Sequence, residues 1–385
     1  MNKRNTYDVV VIGLGIMGAA TLFHLARLGV KALGVEARGP VHRDGSSHGD
    51  TRIFRRAYWE GDQYVPMLNR SYASWLDLAN TSSEPIALRT GGLFIGTAPS
   101  SLVQGSLGTA RRCGIDHEVL HGSEIARRFP AFNVVEDMQA VYEPDALMLF
   151  ADNARLAYVS LAVDAGAEVS YGSQVKLLEQ SPTSIRVAGD AWQVSCAAAV
   201  LTVGAWIGNF LATEIGSLVT PMRIPVYRFD LDPKAAHDHL VGRLPVFMIE
   251  DAHGNLMYGL PKWREVKGGL KIGFHNRQLS ATAPDAPRRP PDDAERLELW
   301  QTIKSLLPGV RSTGEGVACV YTVSRDGSFL IRRSRDLPGV VYASACSGHG
   351  FKFAPAIGEA LADLSVGRQP LLDLTAFDPC RFELP

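Results

Sequence analysis

Cysteine is sparse and unpaired in this chain: Cys113, Cys196, Cys319, Cys346 and Cys380 are scattered through 385 residues, odd in number, with no Cys-x-x-Cys pair. A disulfide-stapled fold is thereby excluded, and a reducing cytoplasm is the expected compartment. Histidines do not cluster at metal-ligand spacing, so no metal is expected. Neither sign of charge is in excess, since 39 basic and 40 acidic residues leave a net charge of −1. Nothing is then available to neutralise a phosphate backbone, and nucleic acid is not an expected partner. Long apolar runs are also missing, because Gly or a charge interrupts every candidate before about 18 residues, which argues against a membrane-spanning helix. The first seven residues lead directly into strand-like sequence without an apolar signal region, so secretion is not expected. Internal repeats and long low-complexity tracts are absent.

What is present is globular: 46% hydrophobic and 21% charged residues, in a chain long enough for two cores. Residues 9–12 form a short β-branched run, Gly13-Leu14-Gly15-Ile16-Met17-Gly18 follows, and residues 19–28 carry helical spacing up to Gly29. A second buried strand is expected over residues 30–36. Strand, glycine turn, helix and strand make a βαβ nucleotide unit. Further βα-like passages fall at residues 151–169 and 197–206. Between residues 221 and 274 the pattern changes to short strands punctuated by Gly, Pro and Asp, which predicts an antiparallel sheet. Residues 281–293 read as a connection and residues 295–307 as a helix. Strands near residues 317–322, 329–332 and 340–343 lead to a helix opening near Gly350 and ending near Leu364. The expected fold is therefore α/β, a Rossmann-like dinucleotide domain with an inserted mixed or antiparallel-sheet substrate domain. The first would comprise residues 1–84, 145–215 and 317–385, the second residues 85–144 and 216–316.

In the glycine turn, Gly13 permits the tight bend, Gly15 lets backbone N–H groups approach a pyrophosphate, and Gly18 lets the helix pack close to the strand. Glu36, 18 residues beyond Gly18, is placed to accept hydrogen bonds from ribose hydroxyls. This motif alone does not separate NAD from FAD. Residues 269–275, Gly-Leu-Lys-Ile-Gly-Phe-His, are informative by alternation. Leu270, Ile272 and Phe274 share one face of a strand, while Lys271, Gly273 and His275 share the other. Lysine and histidine thus flank a glycine across roughly 13 Å, which leaves room for something flat.

Three further stretches stand in order along the chain: Gly45-Ser-Ser-His-Gly-Asp-Thr-Arg-Ile-Phe-Arg-Arg-Ala-Tyr58, Cys319-Val-Tyr-Thr322 and Ser347-Gly-His-Gly-Phe-Lys-Phe353. With them the chain resembles the monomeric sarcosine oxidase and N-methyltryptophan oxidase family over nearly its whole length. The resemblance implies FAD between two domains, with Cys319 joined covalently to the flavin 8α-methyl group. Arg55 and Lys352 match the pair that binds the substrate carboxylate, a planar guanidinium fork beside a point charge. Lys271 matches the lysine that promotes reaction of reduced flavin with O2, and His275 and Tyr258 match substrate-pocket residues with catalytic roles. His48 and Arg52 match flavin-proximal basic residues, one of them expected to be structural. Gly348, Gly350 and Lys352 open the helix expected near the flavin pyrimidine ring.

The implied activity is oxidation of the C–N bond of a small N-methylated or cyclic amino acid to an imine, by a cytoplasmic monomer that yields hydrogen peroxide. A dehydrogenase of the same fold with another electron acceptor, an NAD(P)-linked imino acid reductase and a non-catalytic flavin-binding protein remain alternatives at this point.

Overall fold

In the computed structural model, residues 6–263 and 268–383 are described. The first five residues, part of the start considered above, lie outside them. The strand Thr6–Ile12 runs parallel to Ala32–Val35 on one side and Gln193–Leu201 on the other, and the helix Ile16–Arg27 makes the crossover. Glu168–Ser170 and Val340–Ser344 extend the parallel set outward. A parallel sheet must be covered on both faces, and the alternation in Thr6–Ile12 supplies two cores. Val9 and Val11 pack with the helices Ile16–Arg27, Ala151–Asp164 and Ala354–Ser365, while Val10 and Ile12 pack with Leu33, Val35 and Leu201. Helices Ile16–Arg27 and Ala354–Ser365 approach so closely that a Cβ on Gly358 would lie 2.6 Å from that of Ala20.

Among the described residues the second sheet has nine strands and is mixed. Val219–Leu231 pairs along its length with Val310–Ser324, then Leu270–Phe274, Leu256–Leu260 and Val246–Glu250 follow antiparallel, and Val246–Glu250 runs parallel to Gly92–Thr97. Short strands were expected from residue 221 onward, but Val219–Leu231 spans 13 residues despite Pro221 and Pro225. On the edge facing Leu270–Phe274, Pro225 falls between the pairings of residues 222–223 and 227–229, where no ladder N–H is required. The expected division at 316/317 lies inside the 15-residue strand Val310–Ser324. A third sheet of three strands, Thr51–Phe54, Leu147–Phe150 and Ala87–Arg89, lies apart from the two larger sheets in its pairing.

Leu270, Ile272 and Phe274 enter the core of the second sheet with Phe229, Phe247 and the helix residues Leu299 and Ile303, as the alternation requires. Lys271 therefore faces the other way. That other face, with Val226, Met248, Tyr258, Leu260 and Cys319, forms one wall of a cavity whose opposite wall comes from the parallel sheet and its loops.

Candidate active site

The cavity measures about 590 Å³ and runs continuously from Gly15 and Glu36 to Lys352 and His275. Of the residues singled out in the sequence, Gly13, Gly15, Glu36, His48, Arg52, Arg55, Tyr258, Lys271, His275, Cys319, Gly348, Gly350 and Lys352 all line it. Gly18 does not; its role is packing, since a Cβ there would stand 1.9 Å from the Gly13 carbonyl oxygen. Gly13 has φ +90, and its own Cβ would meet the Thr202 carbonyl at 2.8 Å. The buried Glu36 carboxylate accepts the Leu14 and Arg38 N–H groups, each at 2.9 Å, which fixes it at the end of the second strand. Ser46 Oγ, His48 Nε2 and Thr322 Oγ1 are buried on this cavity without hydrogen-bond partners among the described residues. Unpaired buried polar atoms are costly, so a polar ligand along this wall is chemically fitting.

Lys271 stands in the middle of the wall. Its Nζ donates to the carbonyls of Gly49 at 2.6 Å and Thr51 at 2.7 Å, and Arg52 donates to the same two groups. Asp50 between them has φ 62, which turns both carbonyls toward the lysine. Burial, with Arg52 and Arg228 nearby, pushes the Lys271 ammonium well below its ordinary range. Arg228 is its cross-strand neighbour and is ion-paired with Asp50. Arg52 also donates to the Ser46 and His48 carbonyls, so its guanidinium ties together residues 46–52. His48 is held down at about 3 by burial and by Arg52, Arg288 and Lys271, and is a neutral imidazole rather than the basic group its sequence setting suggests.

The space expected beside Gly273 is filled by the protein itself. Tyr258 stands opposite Gly273 in register, and a Cβ on that glycine would come within 2.9 Å of the Tyr258 hydroxyl. The flat group over Gly273 is the Tyr258 phenol, pushed up to about 12 by burial. Gly348, with φ +80, makes way for the ring of Tyr321 in the same manner.

At the far end lies a buried ionisable cluster. Arg55 Nη2 donates to both Glu60 carboxylate oxygens, at 2.6 and 2.7 Å, with the guanidinium 4.3 Å from the centre of the Tyr58 ring. Burial opposes the Glu60 charge, but Arg55, His349 and Lys352 outweigh it and hold the carboxyl at about 2. Lys352 Nζ donates to the His349 carbonyl at 2.6 Å and the Tyr58 hydroxyl at 3.3 Å. His349 Nε2 faces the Gly327 carbonyl at 3.0 Å; a carbonyl only accepts, so Nε2 carries the proton and Nδ1 accepts from the Tyr58 hydroxyl at 2.7 Å. Trp75 stacks on Phe351 and donates to the Lys352 carbonyl, anchoring the turn Phe351–Phe353 ahead of the helix. Burial and Arg55 lower Lys352 to about 7, and burial brings His275 to about 4. Glu60, Tyr58 and His349 were not singled out from sequence. Their signal was proximity to motifs: Tyr58 ends the arginine stretch, Glu60 lies two residues beyond it, and His349 lies within Ser347–Phe353.

Fold and cavity together define a dinucleotide-binding protein with a buried ionisable pocket, Arg55, Glu60 and Lys352, at one end of its cleft. Residues 8–364 match the family described as FAD dependent oxidoreductase. The monomeric sarcosine oxidase of Streptomyces avermitilis is 34% identical, covering 98% of each chain, and the N-methyl-L-tryptophan oxidase of Salmonella agona is 31% identical over 98% of this chain and 99% of its own. Among solved structures, NikD, an unusual amino acid oxidase essential for nikkomycin biosynthesis, superposes with a TM-score of 0.83 at 22% identity, covering 97% of this chain and 98% of its own. L-Proline dehydrogenase from P. horikoshii gives 0.81 at 20% over 99% of each chain. The chain belongs to the FAD-dependent oxidoreductases, in the branch that holds monomeric sarcosine oxidase and N-methyl-L-tryptophan oxidase. Among the described residues no helix is long and apolar enough to cross a membrane.

Proposed function

We propose that the protein oxidises the carbon–nitrogen bond of a small N-methylated or cyclic amino acid to the imine, with O2 as acceptor and H2O2 as product. The observation that carries this reading is one cavity with a dinucleotide cradle at one end and the Arg55–Lys352 pair at the other. FAD, when bound, supplies the acceptor for hydride from the carbon beside the amine nitrogen and returns the electrons to oxygen. Arg55 and Lys352 hold the substrate carboxylate, by fork and by point charge. His275 and Tyr258 border the amine. Lys271 provides fixed positive charge where oxygen gains electrons. Gly13, Gly15 and Gly18 shape the pyrophosphate turn and Glu36 takes the ribose hydroxyls. Gly348 and Gly350 allow close backbone approach, Arg52 stiffens residues 46–52, and His48 offers its unpartnered nitrogen to the cofactor. Residues 1–84, 145–215 and 317–385 serve the cofactor, residues 85–144 and 216–316 the substrate. The protein acts as a cytoplasmic monomer.

Anaerobic visible spectra with a panel of N-methyl and cyclic amino acids test the reading. Bleaching by one of them, reversed by air with peroxide formation, is the expected result. A flavin that no panel member bleaches would overturn it. We further propose that Cys319 is the point of covalent attachment. After acid precipitation the yellow colour is expected in the pellet for the parent protein and in the supernatant for Cys319→Ser; colour in the supernatant for both would refute attachment.

Gly18→Ala has no room for its methyl group and is expected to give protein without bound flavin. The ratio of visible to ultraviolet absorbance after purification measures this directly.

A further inference from the structure

An amino acid reaches the site as a zwitterion, yet hydride leaves readily only from carbon next to a neutral amine, so the substrate ammonium must lose a proton, and a base inside the cavity would take it without charge crossing to solvent. Glu60 is too weak a base, held at about 2 with Arg55 Nη2 donating to both its oxygens, and the pair carries no net charge. His275 and His349 are weak bases, at about 4 and about 3, and the His349 Nδ1 lone pair is already taken by the Tyr58 hydroxyl. Tyr58 and Tyr258 are phenols raised by burial and have no proton vacancy.

Lys352 differs from all of these. Its Nζ is bonded to two neutral acceptors, the His349 carbonyl and the Tyr58 oxygen, and the His349 tautomer forces that oxygen to be an acceptor. A neutral amine has two N–H groups and one lone pair, so these two contacts use both N–H groups and leave the lone pair. An ammonium in the same place has one N–H over, free for a carboxylate.

We propose that Lys352 enters the reaction as a neutral amine and takes the proton of the substrate ammonium, becoming the cation that then holds the substrate carboxylate. One N–H bond of the substrate breaks and one forms on Nζ, with no change in oxidation state and no net charge brought into the pocket. This rests on the carboxylate-site reading of Arg55 and Lys352 given above. Energetically the step is favourable because the entering carboxylate raises the basicity of Lys352, while burial beside Arg55 lowers that of the substrate amine. The resting value of about 7 for Lys352 agrees with a neutral group at mildly alkaline pH. Charged or titratable groups facing Nζ are Arg55 and Glu60, with His349, Tyr58 and His275 adjoining.

Titration calorimetry of the flavin-loaded protein, at about pH 8 in two buffers of different ionisation enthalpy, counts the protons exchanged on binding. Propionate has a carboxylate and no amine, so it is expected to draw about one proton per site from solution. 2-Aminoisobutyrate carries its own proton and has no C–H next to nitrogen to be oxidised; its uptake is expected to be near zero. Lys352→Arg, with a permanently charged guanidinium, is expected to bind propionate with no uptake, and Lys271→Met to retain it. Propionate binding without proton uptake by the parent protein would overturn the inference, as would uptake that persists in Lys352→Arg or vanishes in Lys271→Met. If neither ligand produces binding heat, the carboxylate-site reading itself fails, and the inference with it.

Discussion

Lys271→Met is expected to slow reoxidation of the reduced flavin by on the order of 10²-fold to 10³-fold, while anaerobic reduction by substrate changes little. The Lys271 amine is buried on the cavity wall, its two bonds to the Gly49 and Thr51 carbonyls hold it in place, and in its protonated form one N–H is left over. A charge already oriented in a dry site stabilises developing negative charge on oxygen without reorganisation at the moment of reaction. Methionine keeps the length and apolar bulk of the stem and removes the charge. The pH dependence has a definite sign. Burial, Arg52 and Arg228 lower the lysine well below its ordinary value, so the charge is present at low pH and is lost as pH rises through that lowered value. Reoxidation should therefore decline with rising pH in the parent protein and be flat in the variant. Stopped-flow measurement of the two half-reactions separates the outcomes; equal slowing of both would remove the assigned role.

Arg55→Leu is expected to cost about 3–5 kcal/mol of stability, because it leaves the Glu60 carboxylate buried without its partner. Both side chains are almost withdrawn from solvent, at 3% and 12% exposure, and Arg55 Nη2 donates to both carboxylate oxygens. Urea unfolding should show the loss, and Arg55→Leu combined with Glu60→Gln should recover much of it, since the stranded charge is then gone. Additive losses in the double variant would refute this account. The Glu60 carboxyl is depressed to about 2, so the stability it contributes is complete above its unfolded value of about 4.3 and disappears as pH falls toward 2. That acid-side loss is expected in the parent protein and absent from the double variant. The same double variant lacks the guanidinium fork and should bind propionate more weakly.

The glycine turn was legible because its constraints are local. Gly13, Gly15 and Gly18 lie within six residues, and Gly13 and Gly18 each answer a close backbone approach at the strand–helix turn. The facing of Lys271 was legible for a similar reason: Leu270, Ile272 and Phe274 must enter a core, which turns the intervening lysine toward the cavity. Helices Val65–Asn80 and Ser101–Arg112 were not anticipated, since residues 59–140 offered no motif to organise them. The strand Val219–Leu231 was expected to be broken, because whether a proline interrupts a strand depends on which edge is paired at its position.

By itself the sequence determined the α/β class, the dinucleotide turn and the facing of Lys271, because these follow from short-range periodicity and contiguous motifs; His48, Arg52, Arg55, Tyr258, Cys319 and Lys352 came from the family resemblance and line the same cavity. Tertiary structure alone decided how those residues are charged and partnered. Arg55 meets Glu60, Tyr258 covers Gly273, His48 is neutral, and Lys352 rests on a phenol whose acceptor role is set by an imidazole bound to the Gly327 carbonyl. Protonation depends on desolvation and on neighbours only a few ångströms away, and most of these neighbours come from distant parts of the chain.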